Sequence, residues 1–206
     1  YDFEKLESLL ESDANIRLMV LCHPHNPTGN VLTEQELSLL VEIAHRHNLI
    51  IVSDEIHGDL VHPGASHIPM LSIPGADSCT VTVASGIKTF AFGGIRCGVA
   101  QTGSKKIFEQ LNTVPSALLG GANRMGAEAS IVAWDTGESW VDEMKNTLDS
   151  NRHLLVDRLN EELPAIGIHL PQSTFVAWLD LSNYEPGERP ATWMRGLTNV
   201  AGQNGL

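Results

Sequence analysis

Three short apolar runs, each the length of a β-strand, constrain this chain most. They are residues 16–22 (Ile-Arg-Leu-Met-Val-Leu-Cys), 49–52 (Leu-Ile-Ile-Val) and 79–84 (Cys-Thr-Val-Thr-Val-Ala). The second run has no polar alternation, as expected of a strand covered on both faces. Between the first two, Thr33 and Glu36 form a capping-box pattern, followed by Leu37, Leu40, Val41 and Ala44 at helical spacing. A helix between two strands implies a right-handed crossover and parallel pairing. The expected fold class is therefore α/β, a mostly parallel sheet flanked by helices.

A fourth strand is expected over 95–100, with helices near 104–112, 122–134 and 138–161. The last carries Trp140, Met144, Leu148, Leu155 and Leu159 near one stripe and is long enough to bridge two domains. Pro164 and Gly167 end it, and residues 174–181 (Thr-Phe-Val-Ala-Trp-Leu-Asp-Leu) read as a strand of another sheet. The expected division is a partial large domain over 1–137. A long connecting helix and the start of a smaller α+β domain follow over 138–206.

Composition narrows the function classes. Acidic side chains number 25 and basic ones 13, a formal charge of −12. That balance argues against nucleic acid and anionic membrane surfaces as partners, since nothing offsets phosphate repulsion. No apolar run approaches the roughly 18 residues that span a bilayer. The opening Tyr-Asp-Phe-Glu-Lys has no basic-then-apolar signal pattern, and three cysteines suit a reducing compartment. The expectation is a cytoplasmic enzyme or binding domain with a small-molecule ligand.

In a parallel α/β sheet, ligands bind beyond the carboxyl ends of the strands. After the first strand comes Asn26-Pro27-Thr28-Gly29, and after the second Asp54-Glu55-Ile56-His57. After the third comes Ser85-Gly86-Ile87-Lys88, with Arg96 eight residues beyond the lysine. One rim thus presents an amide, a carboxylate, a hydroxyl, an amine and a guanidinium. These complement an anion that carries a ring and a carbonyl.

These motifs, in this order, resemble the fold-type-I pyridoxal-phosphate family, the class I/II aminotransferases. Pro-His-Asn-Pro-Thr-Gly together with Asp-Glu-Ile-His is similar to the MalY/PatB branch of cystathionine β-lyases, or C–S lyases. The resemblance implies that Lys88 forms a Schiff base with pyridoxal 5′-phosphate and that Asp54 pairs with the pyridinium nitrogen. It further implies that Asn26 bonds the ring hydroxyl oxygen, that His57 lies near that oxygen, and that Ser85 and Arg96 bind the phosphate. The implied reaction is β-elimination from cystathionine or a related cysteine S-conjugate to pyruvate, ammonia and a thiol. An aminotransferase and a non-catalytic ligand-binding domain stay open as alternatives. The resemblance also implies a homodimer in a longer parent. The chain lacks the family's Gly-rich loop, its ring-stacking aromatic and its carboxylate-binding arginine, so it reads as an internal segment with little activity alone. Ile87 and Ala91 replace the family's usual Ser and Asn.

Other residues have plainer expected roles. Glu55 reads as a helix-cap carboxylate beside the functional Asp54. The nine histidines lack zinc-site spacing, so no metal is expected. Cys22, Cys79 and Cys97 read as small buried apolar residues, and Trp134, Trp140 and Trp178 as core or interface aromatics. Gly93 and Gly94 read as positions of close backbone packing.

Overall fold

The computed structural model describes residues 1–121, 123–198 and 200–204. In chain order the helices and strands are α1 (Phe3–Ser12), β1 (Leu18–Cys22), α2 (Glu34–His47), β2 (Ile50–Asp54), β3 (Thr80–Ala84), α3 (Gly86–Thr89), β4 (Val99–Gln101), α4 (Lys105–Leu111), α5 (Ser116–Leu119), α6 (Arg124–Thr136), α7 (Glu138–Glu162) and α8 (Pro190–Thr198). The expected helix start at Ala122 lies outside the described residues. Helix α1 had no counterpart among the expected elements. It is capped by the Asp2 carboxylate, which accepts from the Lys5 amide at 2.9 Å.

The four strands form one sheet in the order β1-β2-β3-β4. Cys22 pairs with Asp54, and Asp54 with Val83, so the carboxyl ends of three parallel strands are level. Helix α2 begins with the expected capping box: Thr33 Oγ1 accepts from the Glu36 amide, and Glu36 Oε2 accepts from the Thr33 amide at 2.8 Å. It ends at Asn48 in the left-handed conformation. Its face of Leu37, Leu40, Val41 and Ala44 is buried against Leu21, Ile51 and Met70, as its spacing required. Deleting a side chain such as Leu40 here costs about 2–5 kcal/mol.

Two expected strands differ. The fourth lies at Val99–Gln101, not 95–100, and runs antiparallel to β3. The link from Ala84 to Val99 holds only a four-residue helix and returns to the end of the sheet it left. A parallel strand needs a crossover to the opposite end. Residues 174–181 form no strand. Thr174 has φ +70°, which breaks an extended run at its first residue. Among the described residues the segment pairs only at an isolated bridge, Asp180 with Gly167, and its neighbour Ser173 bridges Val61.

Several side-chain expectations also change. No residue of α7 is buried, and Trp134 and Trp140 are about half exposed, with their indole nitrogens hydrogen-bonded rather than packed in the core. Cys79 is buried, but Cys22 and Cys97 are only half-buried. A Cβ at Gly93 or Gly94 would meet nothing within 4 Å, so neither marks close packing. Gly29 does: its φ is +73°, and a Cβ would lie 2.7 Å from Pro171 Cβ. No helix among the described residues is long and apolar enough to cross a membrane.

Candidate active site

Each predicted site residue follows the strand end assigned to it. Asp54 is the last residue of β2, and its Oδ1 accepts from the Ile56 amide at 3.2 Å, which closes an Asx-type turn. The turn carries His57 inward. His57 is buried, and neither ring nitrogen has a partner among the described residues. An imidazole so placed forfeits hydrogen bonds unless a ligand supplies them. Burial pushes its pKa down, the nearby Lys88 cation lowers it further, and Asp54 opposes both. His57 is therefore held neutral, able to donate from one nitrogen and accept at the other.

Lys88 sits in the single turn of α3, directly beyond β3. Its Nζ enters no ion pair among the described residues and lies 6.0 Å from the centroid of the Phe175 ring. The same ring stands 5.7 Å from the His57 imidazole, tilted by 60°. Phe175 thus joins lysine and histidine from the far end of the chain. A hollow of about 400 Å³ opens at Lys88, lined also by Ala91, Met144, Leu148 and Phe175. A larger one of about 800 Å³ is lined by Glu55, Asp59, Ser85 and Lys145 but not by Lys88. Volume favours the second and chemistry the first, because the amine of the first stands directly beyond β3, beside the ring that also meets His57.

The remaining three residues are placed less tightly. Asn26 is exposed beyond β1, and its backbone amide lies 3.5 Å from Cys22 Sγ, beside the Asp54 end of the sheet. The Ser85 hydroxyl is occupied: it caps α3 by accepting from the Ile87 amide and donates to the Cys97 carbonyl. Arg96 is exposed, with φ +51° and no ion pair among the described residues. It reaches the same rim only through its neighbour Cys97. The structure thus gathers Asp54, His57 and Lys88, keeps Ser85 and Asn26 at the border, and leaves Arg96 exposed on the loop beyond α3.

Sequence reasoning missed two residues here. Phe175 is one. Glu55 is the other: its carboxylate is nine-tenths buried and accepts from Ser53 Oγ at 3.0 Å and the Met70 amide at 2.9 Å, with His67 Nε2 at 3.2 Å. It is an internal brace, not a helix cap. His67 in turn lies against His23, with centroids 4.9 Å apart. His23 is fully buried, and burial together with the His67 charge lowers its pKa to about 4. Among the described residues no three His, Cys, Asp or Glu side chains are grouped to hold a metal ion.

This arrangement can hold a flat, protonated heteroaromatic ring against a carboxylate and set an amine beside its carbonyl substituent. A family model described as aminotransferase class I and II matches residues 1–199. A putative cystathionine beta-lyase of Mycobacterium tuberculosis is 38% identical over 169 residues, 82% of this chain and 41% of its own length. The cystathionine beta-lyase PatB of Bacillus subtilis is 34% identical, over 89% of this chain and 48% of its own. The crystal structure of the PLP-bound C–S lyase from Staphylococcus hominis superposes with a TM-score of 0.91 at 31% identity, covering 98% of this chain and 52% of that one. The chain spans about half the length of the curated relatives it matches.

Proposed function

The chain belongs to the class I and II aminotransferases, and from that premise we propose that it forms the lysine-bearing part of a pyridoxal-phosphate-dependent C–S β-lyase. The substrate would be cystathionine or a related cysteine S-conjugate, and the products pyruvate, ammonia and a thiol. The observation that carries this reading is His57: buried, unpartnered at both nitrogens among the described residues, and within reach of the charges of both Asp54 and Lys88. These residues fit the cofactor. The Asp54 carboxylate would accept the ring N–H with the lone pairs that the Ile56 amide leaves free, and Asn26 and His57 would bond the ring substituents. Arg96 and Ser85 would bind the phosphate, Ser85 by turning its hydrogen away from the Cys97 carbonyl.

When bound, pyridoxal phosphate withdraws electron density from the substrate Cα, which acidifies its proton. Asp54 would keep the ring nitrogen protonated, because an anion beside it favours the charged form. Lys88 would hold the cofactor through Nζ and would supply the base for the substrate Cα proton. A guanidinium at position 96 can bind phosphate through two parallel hydrogen bonds, which an ammonium cannot. The working unit on this reading is a homodimer of the full-length parent, with residues 1–137 as part of its large domain and 138–206 leading into the small one.

The test is pyruvate release from cystathionine by the full-length parent, expected at roughly 1 s⁻¹ or more. Amino transfer that depends on an added keto acid, with no pyruvate, moves the assignment to an aminotransferase. Neither activity defeats both.

A further inference from the structure

The turn that carries Lys88 is held by the residue that follows it. Thr89 is fully buried; its hydroxyl donates to Asp59 Oδ2 at 2.8 Å, and its carbonyl accepts from Trp140 Nε1 at 3.3 Å. Trp134 Nε1 reaches the same Asp59 oxygen at 3.4 Å. Helices α6 and α7 thus meet α3 through one carboxylate and one threonine. Packing confirms how close they lie: a Cβ on Gly137, where α6 gives way to α7, would come within 2.5 Å of the Phe90 ring.

Asp59 belongs to the stretch that begins at Asp54. The turn is closed locally, with the Gly58 amide donating to the Glu55 carbonyl and the Leu60 amide to the His57 carbonyl, at 2.8 and 2.9 Å. One six-residue segment therefore presents Asp54 and His57 to the site and grips the turn bearing Lys88 from behind. Two strand ends that share no side-chain bond at the site itself are linked through this contact. We propose that Asp59 and Thr89 are positioning residues, which set where the Lys88 amine stands relative to Asp54 and His57.

This inference rests on the reading of Lys88 as the reactive amine, so its test must not depend on that reading. Reductive methylation of the full chain without cofactor, followed by peptide mapping, compares labelling of Lys88 with that of Lys105, an exposed lysine on α4. Removing the anchor in Thr89→Val or Asp59→Ala frees the turn locally and should raise the Lys88 to Lys105 ratio about threefold to tenfold. Thr89→Ser keeps the hydroxyl and should stay within about twofold of the unaltered chain. Asp59→Asn, which keeps the volume and one acceptor, gives a milder form of the same effect if a larger change prevents folding. A ratio unchanged in Thr89→Val and Asp59→Asn overturns the proposal. So does a Thr89→Ser variant that behaves like Thr89→Val, because packing would then be the cause. If the ratio moves as expected but borohydride with pyridoxal phosphate traps nothing at Lys88, the positioning contact stands and the cofactor reading fails.

Discussion

The carboxyl ends of β2 and β3 lie side by side, yet they are built differently. Beyond β2, Asp54 closes its own turn, and Glu55 is bound from three directions by Ser53, His67 and Met70. His57 is buried behind them. Beyond β3, a single helical turn gives way to Ala91 and Arg96 at φ +55° and +51°, with open space around Gly93 and Gly94. The acceptors are fixed by the protein itself, while the turn that bears the amine is capped by Ser85 and anchored from behind through Thr89. This difference suits the proposed chemistry. A carboxylate that steadies a ring charge works best preorganised. An amine that must first bond the cofactor and then take a proton from the substrate needs room to swing.

The comparison breaks first at Lys88. In the full-length parent, Lys88→Ala should lower pyruvate release about a thousandfold or more, because both bond and base are lost. Borohydride should then trap no cofactor at this position. Retention of a tenth of the activity would remove Lys88 from the mechanism. Asp54→Asn should follow at about a hundredfold, since the Ile56 turn survives and only the charge is lost. An Asp54→Asn enzyme with normal turnover would show that the fixed half of the rim is structural.

The fold was largely legible because its signals are local. Capping and spacing defined α2, and the apolar runs defined β1 to β3, whose ends put Asn26, Asp54 and Lys88 on one rim. What could not be read depends on distant partners. Phe175 reaches the site because the Thr174 amide donates to the Leu60 carbonyl at 2.8 Å and the buried His62 bonds the Thr174 carbonyl at 2.9 Å. Nothing in the sequence near 175 announces those contacts. Glu55 reads as a helix cap in the sequence because its donors come from Ser53, two residues back, and from a segment more than ten residues on. Helix α1 is a different case: Asp2, Leu6 and Leu10 carried a readable cap and spacing that went unused.

The fixed half should also show itself in stability. Glu55→Ala leaves buried donors unpaired and should cost about 2–3 kcal/mol, measured by denaturant unfolding. Acid tests the same region through His23, whose folded pKa of about 4 lies below its unfolded value of 6.5. The unfolded chain then takes the proton first, so stability is full above 6.5 and is lost as pH falls toward 4. The loss from this one group is about 1.4 kcal/mol per pH unit inside that window. The lowered values of His57 and His62 act in the same direction. His23→Gln should flatten the slope, and an equal slope in that variant would show that the buried imidazole does not titrate as its surroundings require.

The smallest effect is expected at the open half. Arg96 combines a left-handed backbone with an exposed guanidinium that enters no ion pair among the described residues. Its removal therefore leaves no buried partner stranded, and the fold should not weaken. Arg96→Ala should reduce cofactor affinity in the full-length parent about tenfold by loss of the phosphate contact. Arg96→Gly removes the same charge but relaxes φ +51°, so it separates charge from backbone. Equal affinities in the two variants place the whole effect in the guanidinium. If Arg96→Gly binds as tightly as the unaltered enzyme while Arg96→Ala does not, the residue serves the turn and not the phosphate. Titration of the bound cofactor's absorbance in each variant decides between them. Salt sharpens the result, because a guanidinium this exposed is screened at higher ionic strength while a buried carboxylate is not. Affinity of the unaltered enzyme should therefore fall with salt, and that of Arg96→Ala should fall less.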